Sequence, residues 1–232
     1  MEQDNIWGLL SKVIPFTPRV LLYGVPGTGK TYQANTLGLS KEQGVYNITL
    51  TQDSTAAELM GHYIATDSGG FEWLDGVGVR AWKEGARLVI NEIDHAGIDV
   101  MTFLHALLDD PKFAKFTLPN KDKEVVRPNE GFQIVATMNG TPQDLSDALG
   151  DRFPVKIEVN EVHPDALEAL PNKLKAVYQD YNYSGNFSVR KWTAFAELLD
   201  KGCQLEVAAR AIFPDDTSNI IDAMTDLDKE NE

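Results

Sequence analysis

Gly24-Val25-Pro26-Gly27-Thr28-Gly29-Lys30-Thr31 carries the densest chemistry in this chain of 232 residues. A nucleoside triphosphate needs many backbone N–H donors turned inward around its phosphates, and glycine lets a chain fold that tightly. The Gly-x-x-x-x-Gly-Lys-Thr spacing meets that need. Lys30 would reach the outer phosphates, and Thr31 would hold magnesium through its hydroxyl. An apolar strand, Arg19 to Tyr23, directly precedes the loop, and a helical stretch follows whose positive end would face the anion. Residues 24–31 are therefore expected to bind a nucleotide.

Cleaving a γ-phosphate needs magnesium, an oriented water, a group that reads the γ-phosphate, and positive charge at the transition state. Candidates for each stand at or near the ends of β-prone segments, where open α/β sheets bind their ligands. Asn91-Glu92-Ile93-Asp94 closes Arg87–Asn91, and Glu92 is placed to orient or deprotonate the water. Acidic residues after a strand are also ordinary helix caps. Asn139 closes the segment 132–137 and would hydrogen-bond the γ-phosphate or the water, although Asn before Gly is also a common turn. Arg152 precedes the last β-prone segment, as an arginine finger or as one end of a surface salt bridge. Arg190, in Ser188-Val189-Arg190, would touch phosphate from the start of a helix or stay solvated there.

Positioning these residues calls for a particular order of elements. Residues 4–14 place Ile6, Leu9, Leu10, Val13 and Ile14 at helical spacing ahead of the first strand. The loop opens a helix from Lys30 to Leu39, ended near Gly38, and Val45–Leu50 is a second strand. Thr55-Ala56-Ala57-Glu58 reads as a capping box for a short helix stopped at Gly61. Two β-prone pieces around Asp67-Ser68-Gly69-Gly70 form a hairpin, followed by a helix over 77–84. Arg87–Asn91 is a third strand, and Val100, Phe103, Leu104, Leu107 and Leu108 mark one helix face. A second hairpin spans Phe116–Leu118 and Val125-Val126, and residues 132–137 and 153–159 complete five core strands. Alternation of strands and helices describes a parallel sheet covered on both faces. From Pro164 the pattern is helical only. The fold expected is α/β: a nucleotide-binding core over 1–160 with hairpin inserts, a small all-α lid over 161–228, and an acidic tail at 229–232.

Composition excludes several function classes. No apolar run approaches a membrane span, and the acidic start, Met1-Glu2-Gln3-Asp4, is unlike a signal peptide. A single cysteine, Cys203, rules out an internal disulfide or a cysteine-based zinc site, and it falls on an apolar helical face. A cytoplasmic protein is implied. The net charge of −14 argues against a broad nucleic-acid-binding surface. The most basic segment holds Lys112, Lys115, Lys121, Lys123 and Arg127, for which a solvated hairpin is the plainer reading. Phe71, Trp73 and Trp82 fit a local core better than a substrate-gripping loop.

Taken together, these segments resemble an AAA+ ATPase of the MoxR-type, dynein-related branch, over nearly the whole chain. Gly24 to Thr31 matches Walker A, Leu88 to Glu92 Walker B, and Asn139 sensor 1. Leu145 to Phe153 resembles the arginine-finger helix and Ser188-Val189-Arg190 the sensor-2 start of the lid. Glu58 to Gly76 is similar to the helix-2 insert, and Phe113 to Pro128 to the hairpin before sensor 1. The resemblance implies ATP and magnesium as ligands, with Lys30, Glu92, Asn139 and Arg152 catalytic and Arg190 on the nucleotide. It also implies a ring, usually six-membered, in which Arg152 acts on the next subunit. A separately encoded protein partner follows too, since family members remodel proteins, often ones carrying a von Willebrand A domain, or assist metal-cofactor insertion. One position departs from the pattern: the family has Asp where this chain has Asn91. Asn keeps an oxygen acceptor and loses the charge that helps hold magnesium, and Asp94 would compensate if the strand ran that far. Three readings stay open at this point: a ring ATPase that remodels a partner, a nucleotide-gated assembly switch with slow or absent hydrolysis, and a motor subunit of a nucleic-acid enzyme using GTP or ATP.

Overall fold

Five short apolar segments become one parallel sheet, and alternation along each strand decides which face a side chain joins. The computed structural model describes residues 5–40, 42–181 and 188–230. Helix α1 (Ile6–Val13), capped by Asn5, leads to β1 (Arg19–Tyr23), α2 (Lys30–Thr36) and β2 (Val45–Thr49). Helix α3 (Ala56–Met60) feeds a hairpin of β3 (Gly61–Ala65) and β4 (Phe71–Asp75), then α4 (Val77–Glu84). Strand β5 (Arg87–Asn91), α5 (Ile98–Leu107), a short pair β6 (Phe116–Thr117) and β7 (Val125–Val126), and β8 (Gln133–Thr137) follow. Helix α6 (Asp147–Gly150) and β9 (Val155–Glu158) close this part.

The sheet order is β2-β5-β8-β1-β9, with every pair parallel. Leu21, Leu88, Ile90, Ile134 and Ala136 point into one apolar layer with Trp82, Phe103 and Leu104. Val20, Leu22, Val89 and Val135 point into the other, with Trp7, Leu10 and Ala34. Such two-residue alternation is what a strand covered on both faces requires. Strands β5 and β8, buried along their whole length, lie at the middle of the sheet. A polar side chain there must therefore find a partner inside the protein.

The chain divides into two compact units, residues 1–25 with 30–159, and residues 26–29 with 160–232. The second unit holds α7 (Pro164–Glu168), α8 (Asn172–Tyr181), α9 (Val189–Asp200), α10 (Leu205–Ile212) and α11 (Thr217–Glu230). Trp192, Phe195 and Phe213 form its aromatic centre, with ring centroids 5.0 to 6.2 Å apart.

Several expectations shift. Residues 229 and 230, expected in the acidic tail, are the last two of α11, because Lys and Glu are good helix formers. Residues 231 and 232 of that tail, and the acidic start at 1–4, lie outside the described residues. Helix α2 stops at Thr36, before the expected Leu39, since Gly38 takes φ 69°. The aromatic trio divides: Trp82 is fully buried and Trp73 half-buried, but Phe71 is 75% exposed. Phe71 sits next to the hairpin turn, where no helix covers it. Lys83 of α4 donates to Asp75 Oδ2 at 2.7 Å and to Glu124 Oε2 at 3.0 Å, tying the two hairpins to one ammonium. The five basic side chains from Lys112 to Arg127 are all exposed.

Candidate functional site

The glycine-rich loop takes its shape from Gly24, Gly27 and Gly29, at φ 119°, 81° and 107°. Only glycine adopts such angles without steric cost, which explains the spacing. Lys30, 6% exposed, folds its ammonium onto the loop and donates to Gly24 O at 2.8 Å and Val25 O at 2.6 Å. Within the second unit, Thr28 O accepts from the backbone N–H of His163 at 3.2 Å.

Beyond the loop, Asn91, Glu92, Thr137 and Asn139, at the ends of the adjacent strands β5 and β8, come together with Thr31. Thr31 Oγ1 donates to Asn91 Oδ1 at 3.0 Å, and Thr137 Oγ1 donates to the same oxygen at 3.1 Å. Next to Asn91, Glu92 takes φ 55° and ψ 47°, a left-handed conformation unusual for a residue with a Cβ. That turn ends the strand and swings the carboxylate towards β8. There Asn139 Nδ2 meets both oxygens, at 2.9 and 3.2 Å. Backbone strain of this kind persists where the surroundings impose it, and it concentrates at functional sites.

The strand ends at Asn91, so the condition under which Asp94 would compensate is not met. Asp94 lies in a 3-10 turn over Ile93–His95, with Oδ2 3.6 Å from His95 Nε2. Ligating atoms of Glu92, Asp94 and His95 all fall within 4.8 Å of one another. Arg152 donates from Nη1 to Ala148 O at 2.6 Å and from Nε to His105 O at 3.2 Å. It is thereby directed onto its own chain. Arg190 is exposed on the first turn of α9, in the second unit.

Thr137 has no role assigned from the sequence. Its signal was a hydroxyl in a five-residue strand buried throughout, which obliges it to bond within the protein. Arg87 is the same case at the opposite end of β5. It is 0% exposed, and burial pushes its guanidinium down to about 10, still charged at neutral pH.

The chain matches the AAA domain of the dynein-related subfamily over residues 19–153. It is 30% identical over 184 residues to midasin of Dictyostelium discoideum, covering 77% of this chain and 3% of that protein. It is 32% identical over 130 residues to the protein NorQ of Paracoccus denitrificans, covering 56% of this chain and 47% of that protein. The chain thus spans under half the length of either relative. Its fold is similar to that of NtrX from Brucella abortus, with a TM-score of 0.56 and 17% identity over 81% of this chain and 48% of that one. No helix among the described residues is long and apolar enough to cross a membrane.

Proposed function

The chain belongs to the dynein-related subfamily of AAA domains, and from that premise we propose that it binds ATP with magnesium at Gly24–Thr31 and hydrolyses it within a ring of like subunits to remodel a protein partner. The observation that carries this reading is the convergence of Thr31, Asn91, Glu92 and Asn139 at the ends of β5 and β8, beside Lys30.

The residues present fit a magnesium ion. Thr31 Oγ1 and Asn91 Oδ1, 3.0 Å apart, are hard oxygen donors of the type that ion takes, directly or through its waters. When bound, it would neutralise charge developing on the β- and γ-phosphates. Lys30 would exchange its two loop carbonyls for phosphate oxygens, a charge-assisted contact in place of a neutral one. Glu92 would accept the proton of the attacking water, and Asn139 would hold that carboxylate in one orientation while its carbonyl oxygen faces the water. Arg152 would supply positive charge to the nucleotide of the adjacent subunit after leaving Ala148 and His105. Arg190 would contact phosphate. A head-to-tail contact that closes on itself is the assembly this requires. The partner, of the class that carries a von Willebrand A domain, would be encoded separately.

A second reading is favoured by one residue. Asn91 brings no negative charge to the magnesium position, which supports a nucleotide-gated switch that binds tightly and turns over slowly.

The deciding experiment is magnesium-dependent turnover of ATP and GTP across protein concentration, beside Glu92→Gln. Turnover that rises cooperatively and vanishes in the variant is the expected result. Tight binding without turnover at any concentration would refute the motor and leave the switch.

A further inference from the structure

Strand β5 holds α2 at both ends. At the helix N-terminus the tie is Thr31 Oγ1 to Asn91 Oδ1, at 3.0 Å. At the other end Arg87 Nη1 donates to Ala34 O at 3.0 Å and Leu37 O at 2.7 Å, carbonyls of the last turn and its continuation. Arg87 Nε donates to Gln133 Oε1 at 2.6 Å, and Gln133 Nε2 donates onward to Thr17 O at 2.7 Å. One guanidinium thus joins the end of α2 to β8 and to the entry of β1.

Apolar packing alone holds α2 weakly. Its buried residues are Lys30, Gln33 and Ala34, so a single alanine carries its fully buried apolar surface. It has no basic residue in its last turn. The cation that favours a helix C-terminus comes instead from the neighbouring strand. The N-terminal tie to Asn91 joins two neutral groups and is weaker than one to a carboxylate. A helix of this length moves as a rod, so a tilt at Leu37 is felt at Thr31.

We propose that Arg87 is a positioning residue for the nucleotide site: by gripping the C-terminal carbonyls of α2 it sets the separation of Thr31 from Asn91, and with it the hold on magnesium-bound nucleotide. The inference rests on the reading of Thr31 and Asn91 given above. It assigns a function to a buried cation whose partners are all neutral oxygens.

The test compares Arg87→Met, Arg87→Lys and Gln133→Leu in the full chain. Affinity for ATP is measured by calorimetry in magnesium and in EDTA, with the melting temperature recorded without nucleotide. Because misplacement by about 1 Å costs up to ~100-fold at such sites, Arg87→Met is expected to weaken binding in magnesium about tenfold and to leave binding in EDTA within about twofold. Arg87→Lys restores part of the ratio. A lower melting temperature with an unchanged magnesium-to-EDTA ratio would show a structural role only and overturn the inference. If Arg87→Met does not fold, Gln133→Leu keeps the cation and removes one partner. A smaller change of the same ratio supports the inference, and no change overturns it. Wild-type protein that gains nothing from magnesium would refute the reading of Thr31 and Asn91 instead, a distinct result.

Discussion

One amide nitrogen, Asn139 Nδ2, stands 2.9 and 3.2 Å from the two carboxylate oxygens of Glu92. The two residues are 47 positions apart and meet because β5 and β8 are adjacent and parallel. A donor shared by both oxygens fixes the plane of the carboxylate. Glu92 contributes the rest through its left-handed backbone.

This pairing predicts a separation of binding from turnover. Asn139→Ala should lower single-turnover hydrolysis by about 100-fold, the scale on which positioned polar groups act. The ATP dissociation constant should stay within about threefold of wild type. Equal losses in both would mean that Asn139 serves the phosphate and not Glu92.

Asn91 predicts a gain. Asn91→Asp would still accept from Thr31 and Thr137 and would add a charge beside the proposed magnesium position. The magnesium concentration for half-maximal turnover should fall by about tenfold, and turnover should rise, as carboxylate ligands favour this ion. A titration of turnover against magnesium decides it, and unaltered dependence would show that residue 91 does not set the hold on magnesium.

Arg152 predicts an effect that depends on assembly. Both of its hydrogen bonds go to carbonyls of its own chain, so action on a neighbour requires their release. Arg152→Ala should reduce the concentration-dependent turnover by about 1,000-fold, within the range of arginine fingers. ATP binding should hold. Equal turnover in the variant would assign Arg152 to the α5–α6 contact alone.

His105 predicts the acid side of the stability profile. Burial first, and the Arg152 guanidinium second, hold its imidazole below the ordinary value of 6.5. Its Nδ1 is buried without a hydrogen-bond partner among the described residues. The neutral ring therefore contributes fully above pH 6.5, and that contribution is lost as pH falls through the lower folded value. Melting temperatures of wild type and His105→Gln, measured from pH 7.5 to about 5, should converge on acidification. Parallel curves would place the acid lability elsewhere.

Local signals were legible in the sequence. Glycine spacing announced the loop, and apolar runs announced the buried strands, because each depends on residues a few positions apart. The capping box at Thr55 was equally plain, and Glu58 Oε1 accepts from Thr55 N at 2.9 Å. Strand order was not legible. Only the order shows that β5 and β8 are neighbours, so the meeting of Glu92 with Asn139 and of Thr137 with Asn91 had no local signature. Arg87 has no local signature either, because its partners Ala34 and Leu37 lie about 50 positions away. Phe71 differs from expectation for another reason: an aromatic beside a hairpin turn lies at the surface, here 75% exposed.

The ammonium of Lys83 has a consequence for anyone who would exchange parts between relatives. Asp75, at the end of the first hairpin, and Glu124, just before β7, draw on the same cation, and Asp75 also takes the indole N–H of Trp73 at 2.8 Å. A graft of residues 61–75 into another scaffold would arrive with an acid that has lost its counter-charge. This chain, with a foreign hairpin in that place, would keep Glu124 alone of the two acids on Lys83. The two hairpins are thus a single cassette in protein engineering, and a chimera should take both, with α4, or neither.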